Sequence, residues 1–245
     1  YDAGKPRQDV IELLRLNSRF GDATIGDLNA QIAAGRTGEQ RLQALFDRFG
    51  ADAIRAARDE IYKQTEAKER EAILALPDGE YSAEGTIDDD GLGNGPLGVK
   101  LTVRIAGDGM TVDLAGSAAQ ATGPVNCGLT QTVAAARVAY KLLICSEVSP
   151  NGGSFRALDV QAPPRSIFHA QEPAPCGWYF TPLGLLIDLI VKALAPVLPD
   201  KAAGAHYGDS MVITIAGQDP RHDDDFFLMI EPTTGGWGAF NGGDG

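Results

Sequence analysis

"VKLTVRIAGDGMTVDLAG", residues 99–116, decides the fold. "VKLTVRIAG" and "MTVDLAG" read as two strands, and Asp108-Gly109 between them is a hairpin signal. Working outward, "EYSAEGTID" (80–88) alternates in the same way behind the turn Pro77-Asp78-Gly79. "TQTVAAARVAYKLLICSE" (130–147) instead places Val133, Ala136, Ala139, Tyr140 and Leu143 on one helical stripe. "FRALDVQAP" (155–163) is strand-like, "PLGLLIDLIVKALAPVL" (182–198) is helical, and "SMVITIAG" (210–217) and "FFLMIEP" (226–232) are two more strands. Strands, a helix and strands again, without regular βαβ alternation, give an α+β fold.

Residues 1–76 predict a helical N-terminal arm ahead of this α+β core of 77–245, both being parts of one larger domain. "DVIELLRL" (9–16) is a first helix. A second begins at the cap Asp27, carries the pair Leu28 and Ile32, and ends at Gly35. Thr37 and Gln40 have capping-box spacing before Leu42, Leu45, Phe46 and Phe49, with Gly50 as C-terminal cap. From Ala51 to Leu76 the charge-rich text, with Glu66, Lys68, Glu69, Arg70 and Glu71, predicts a solvated surface helix and a possible partner-docking surface.

The 245 residues suffice for one large domain or two small ones. A net charge of -12 argues against a nucleic-acid partner, whose phosphates need a basic surface. Cys127, Cys145 and Cys176 are too few and scattered for a disulfide framework and fit reduced thiols in a cytoplasmic protein. The apolar run 182–198 is broken by Asp188 and Lys192, so it reads as a core helix and no membrane span is expected. Tyr1 is not an initiator Met, and both ends read as cut from something longer.

Asp88-Asp89-Asp90-Gly91 lacks calcium-loop spacing and reads as a solvated turn; Asp223-Asp224-Asp225 reads as a hairpin loop. His206 and Asp209, three apart, are the candidate catalytic pair, able to share a proton or a metal. His169 and His222 have no suitable partners in the sequence. Cys127 precedes a helix without a nearby base and reads as a packed thiol. "TTGGWGA" (233–239) suits neither strand nor helix: Gly235-Gly236 permits positive φ and close backbone approach, or is a bend packed under Trp237. It lacks the Lys-Ser/Thr of a phosphate loop.

"GDLNAQIAAGRTGEQRLQALFDRFG" (26–50), "LPDGEYSAEGTIDDDG" (76–91), "VDLAGSAAQATGPVN" (112–126), "VSPNGGSFRALDVQAPPRSI" (148–167) and "EPTTGGWGAFNGGDG" (231–245) together resemble the hydantoinase B/5-oxoprolinase family, which includes acetone and acetophenone carboxylase subunits. The resemblance covers nearly all the chain and marks it as the middle of a longer family member. It implies a two-stage chemistry. A hydantoinase A-type ATPase partner, binding ATP, phosphorylates a cyclic amide, and a metal-delivered water then opens the ring in a hetero-oligomer.

The family's divalent metal (Zn, Mn or Fe) is expected upstream of Tyr1, so no residue here is assigned as a ligand. Gly235, Gly236, Trp237, Gly238 and Asn126 are the expected substrate-binding residues, the glycine amides facing a developing oxyanion. Gly236→Val is then expected to stop turnover without unfolding. Two other readings stand beside the amidase: a carboxylase component, taking a ketone and bicarbonate, and a non-catalytic subunit-contact core. Taken alone, the segment is expected to be inactive.

Overall fold

The computed structural model of the chain describes residues 1–208, 211–233 and 235–245. They divide into two compact units, Tyr1–Glu60 and Ile61–Gly245. The first holds helices α1 (Gln8–Leu16) and α2 (Gly21–Phe49) and the beginning of α3 (Ala51–Leu74).

The expected break at Gly35 does not occur. α2 runs unbroken through Gly26, Gly35 and Gly38. A helical glycine costs only about 1 kcal/mol relative to alanine, less than the surrounding turns supply. Asp27 and Thr37 therefore cap nothing, and the Thr37 hydroxyl donates back to the Ala33 carbonyl at 3.0 Å. Gly50 does end the helix, at a φ of 81° with its N–H on the Phe46 carbonyl.

The second unit is built on β1 (Gly79–Ile87), β2 (Leu97–Ala106), β3 (Gly109–Asp113), α4 (Leu129–Leu143), β4 (Leu158–Gln161) and α5 (Phe180–Leu194). The sheet order is β1-β2-β3-β4. β1/β2 and β2/β3 are antiparallel, while β3/β4 is parallel, a pairing that requires a crossover, and α4 lies in it. Ala106 pairs with Gly109, so the hairpin turn is Gly107-Asp108, one residue earlier than the sequence signal, with Gly107 at φ 59°.

Val99, Leu101, Val103 and Ile105 alternate onto one face and are at most 1% exposed. They share a core with Ala136, Ala139 and Tyr140 of α4 and Leu186 and Ile190 of α5. β5 (Val212–Asp219) and β6 (Asp225–Pro232) form a separate antiparallel hairpin, with Asp223 and Asp224 in its loop as expected. Among the described residues no helix is long and apolar enough to cross a membrane.

The charged end of α3 is not a solvated helix. Thr65, Glu69 and Ile73, at i, i+4 and i+8, form a buried stripe. Glu69 is 1% exposed and accepts from Lys141 Nζ at 3.0 Å, the Phe155 amide at 2.9 Å and the Tyr140 hydroxyl at 3.2 Å. Burial, followed by the Glu69 charge, raises the Tyr140 phenol well above its ordinary value.

The motif Asn151-Gly152-Gly153-Ser154-Phe155 is the receptor for this helix. Asn151 Nδ2 donates to Thr65 Oγ1 at 2.8 Å, and its Oδ1 accepts from the Gly153 amide at 2.8 Å. A Cβ on Gly153 would lie 2.0 Å from the Tyr62 carbonyl oxygen, so only glycine lets the loop meet the helix backbone. On the open side Glu66 accepts from Arg70 and Arg156, whose hydrogen bonds hold its carboxyl below the usual range, Arg156 having the larger effect.

Candidate functional site

A cavity of about 420 Å³ opens between α4 and α5. Ala134, Ala135 and Val138 line it from α4, and Leu183, Gly184 and Ile187 from α5. Tyr179 and Phe180, with ring centroids 4.4 Å apart, stand at the start of α5. The lining holds two further polar side chains: Gln131, whose Oε1 accepts from the Gly128 amide at 2.8 Å, and His206.

His206 is one half of a pair, but its described partner is Asp188. Its Nδ1 lies 2.8 Å from Asp188 Oδ2, with both side chains about four-fifths buried, at 20% and 19% exposure. Asp209, the expected partner, lies outside the described residues. Asp188 and Gly184 are four residues apart along α5 and therefore share a face. A Cβ on Gly184 would come 2.9 Å from both Cε1 and Nε2 of His206, so the imidazole edge rests directly over that glycine. In the sequence Asp188 registered only as an interruption of an apolar run. The usable signal was its spacing from Gly184: a gap and a carboxylate on one face of an otherwise apolar helix.

The glycine-rich segment runs beside His206. The Gly204 amide donates to the Ala239 carbonyl at 2.8 Å and the Tyr207 amide to the Gly236 carbonyl at 3.0 Å. Trp237 is 72% exposed, its ring 6.2 Å from that of His206, so no bend packs beneath it. Gly236 and Gly238 do not adopt positive φ; close approach is what demands glycine at Gly235 and Gly238. A Cβ on Gly235 would meet the Tyr207 ring at 2.1 Å, and one on Gly238 would meet the Gly204 backbone at 2.2 Å. Gly236 faces open space, so steric need falls on its neighbours rather than on Gly236 itself.

Asn126 is fully buried. Its Oδ1 accepts from the Ala121 amide at 2.7 Å, and its Nδ2 faces the carbonyls of Ala121, Gly123 and Pro175 at 2.8 to 3.0 Å. These contacts staple the loop before α4 to the segment before α5. Nearby, Asp90 is also fully buried, while Asp88, Asp89 and Gly91 are exposed, so the solvated turn expected there is corrected at Asp90 alone. It accepts from the amides of Leu92, Asn94 and Gly123 and from Asn94 Nδ2. These bonds, the one from Asn94 Nδ2 foremost, hold its carboxyl far below the usual range.

Cys127 is the packed thiol expected, pushed up to about 12 by burial, with Sγ 3.5 Å from the Tyr179 carbonyl. His169 Nδ1 lies 3.0 Å from the Ala162 carbonyl, and His222 meets Asp219 at 3.1 Å. Among the described residues no three His, Cys, Asp or Glu side chains converge on one point, so they do not fit a metal ion and no step below runs through one.

Comparison with known proteins gives this geometry a lineage. The chain is 34% identical to the β-chain component of the caprolactamase of Pseudomonas jessenii over 99% of its length. It is 33% identical, over its whole length, to the B-type component of a provisionally named D-/L-hydantoinase of Pseudomonas sp. (strain NS671). It spans less than half of each, 42% and 43% respectively. The crystal structure of the ATP-dependent caprolactamase from Pseudomonas jessenii superposes with a TM-score of 0.83 at 32% identity, over 92% of this chain and 39% of that one. A nucleotide-free acetone carboxylase shares the fold, with a TM-score of 0.80 at 12% identity, over 95% of this chain and 34% of that one. The family model described as Hydantoinase B/oxoprolinase matches residues 1–245, and this chain belongs to that family.

Proposed function

We propose that the chain is part of the hydrolytic subunit of an ATP-dependent cyclic amidase. The observation that carries this reading is the graded likeness between superposed structures: 32% identity to the caprolactamase, against 12% to the carboxylase that shares the fold. An unstrained amide resists water, so phosphorylation of the amide oxygen by ATP, on a hydantoinase A-type partner, makes the carbonyl carbon electrophilic and releases ADP. Water adds to that carbon, the C–N bond breaks as the ring nitrogen takes a proton, and a second water releases phosphate from the acyl phosphate left behind. On this reading ATP is bound by the partner subunit and a divalent metal by the full-length protein.

Within this chain, His206 is the group suited to proton transfer, with Asp188 fixing its ring. Among the described residues the amides of Gly235, Gly236, Trp237 and Gly238 donate no hydrogen bond, which leaves them for a developing oxyanion. Asp209, three residues after His206 in the sequence, remains a second candidate acid.

The test is turnover by the full-length protein with its ATPase partner, given ATP and a lactam, hydantoin or 5-oxoproline. Ring opening without bicarbonate supports the amidase. ATP consumption that requires a ketone and bicarbonate would replace it with a carboxylase. His206→Gln is expected to lower kcat by about 100-fold or more, as loss of a general acid–base does.

A further inference from the structure

We infer that a second cavity, between the C-terminal half of α4 and the loop that follows it, binds a small apolar monocarboxylate that carries no amino group. This cavity, of about 360 Å³, is walled by Val138, Leu142, Pro150 and Phe155, and its polar groups are Arg137, Lys141 and Ser146. That size suits a small molecule. Binding there is independent of the amidase reading.

The charges in the lining have one sign. Arg137 and Lys141 stand four residues apart on α4 and so share a face. The described lining holds no Asp or Glu, in a chain whose net charge is -12. Lys141 is already matched, because its Nζ donates to the buried Glu69 at 3.0 Å. Arg137 is not. Among the described residues its guanidinium has no hydrogen-bond or ion-pair partner, and its central carbon lies 5.2 Å from the centroid of the Phe155 ring. An aromatic face attracts a cation without compensating its charge. The ring is itself held in place, edge-on to Tyr140 at 5.8 Å, with the Phe155 amide on Glu69 at 2.9 Å. The cavity therefore presents one positioned and permanent positive charge beside apolar walls.

These features select the ligand. One uncompensated charge matches a monoanion, and the guanidinium fork matches the two oxygens of a carboxylate. The four apolar walls match a hydrocarbon body. An amino acid is disfavoured, because its ammonium would be desolvated beside two cations with no acid in the lining. The overall field of a chain at -12 repels anions, so a preference for an acid over its neutral isostere has to come from the cations of the lining.

Three probes of similar shape test this: 4-methylpentanoate, its neutral amide, and leucine. The full chain is titrated at neutral pH, with methyl NMR shifts of Leu142 reporting this cavity and those of Leu183 the α4–α5 cavity. The acid is expected to bind at Leu142, and the amide and leucine about tenfold more weakly, the worth of one charge-assisted hydrogen bond. Arg137→Gln, at an exposed side chain, is expected to keep the fold, checked by amide dispersion, and to bind acid and amide equally. Arg137→Lys is expected to keep part of the preference, since it retains the charge without the fork. Leu142→Glu, at a position 56% exposed, is expected to abolish binding of the acid and spare that of the amide.

Absence of acid binding would overturn the inference, as would equal affinity of acid and amide for the unaltered chain. So would leucine binding as tightly as the acid, a preference that survives Arg137→Gln, or shifts at Leu183 in place of Leu142.

Discussion

Two β-hairpins of this chain are built from apolar strands and meet opposite fates. In β2–β3, the apolar side chains Val99 to Ile105 and Met110 to Val112 are at most 2% exposed, under α4 and α5. In β5–β6, Ile213 and Ile215 are 50% and 45% exposed, and Phe226 and Ile230, on the partner strand, 63% and 58%. Alternation is a statement about the backbone: it says that successive side chains point to opposite sides. Whether a side becomes core depends on a covering layer, and helices α4 and α5 supply one only to the first sheet.

The sharpest extension of that contrast concerns a charge. Glu69→Ala removes the carboxylate that Lys141, Tyr140 and Phe155 share and leaves a largely buried ammonium without its partner. Chemical denaturation is expected to show a loss of about 3 to 5 kcal/mol. Leu101→Ala, at the centre of the covered face, should cost about 2 to 5 kcal/mol. Ile215→Ala, in the second hairpin, should stay within about 0.5 kcal/mol by the same measurement. Equal costs for Leu101→Ala and Ile215→Ala would dissolve the comparison.

A smaller, pH-dependent effect separates the loops of the two regions. The Asp90 carboxyl is depressed in the folded chain, so its contribution is fully present above the unfolded value near 4 and is lost as pH falls towards the folded value. Asp90→Asn should flatten the acid limb of the stability curve without altering its shape near neutrality. At the glycine segment, Gly238→Ala should lower the melting temperature whereas Gly236→Val should not, because only the former meets backbone. If Gly236→Val nevertheless abolishes turnover of the assembled enzyme, the oxyanion role of this segment gains support.

The sequence made the elements legible where local chemistry determines them: the hairpin at 99–116, the stripe of α4, the apolar α5 and the stop at Gly50. It misled where a distant partner decides. Glu69 looks like any surface glutamate because Lys141 lies 72 positions away, and Asp90 looks solvated because Gly123 lies 33 away. Gly35 looked like a terminator because a single residue cannot reveal that its neighbours will carry the helix through. For the site, His206 was legible as a rare titratable residue. Asp188 was hidden by the helix that holds it, since its relation to His206 exists only once the chain has folded back.

The docking of α3 on Asn151–Phe155 bears on how relatives are recognised. The residues that make this stretch distinctive are occupied in holding a helix: Asn151 on Thr65, Gly153 against Tyr62, Phe155 on Glu69. A lineage could lose its chemistry and keep every one of them. Kinship inferred from that motif therefore transfers architecture, and activity has to be read from the pocket.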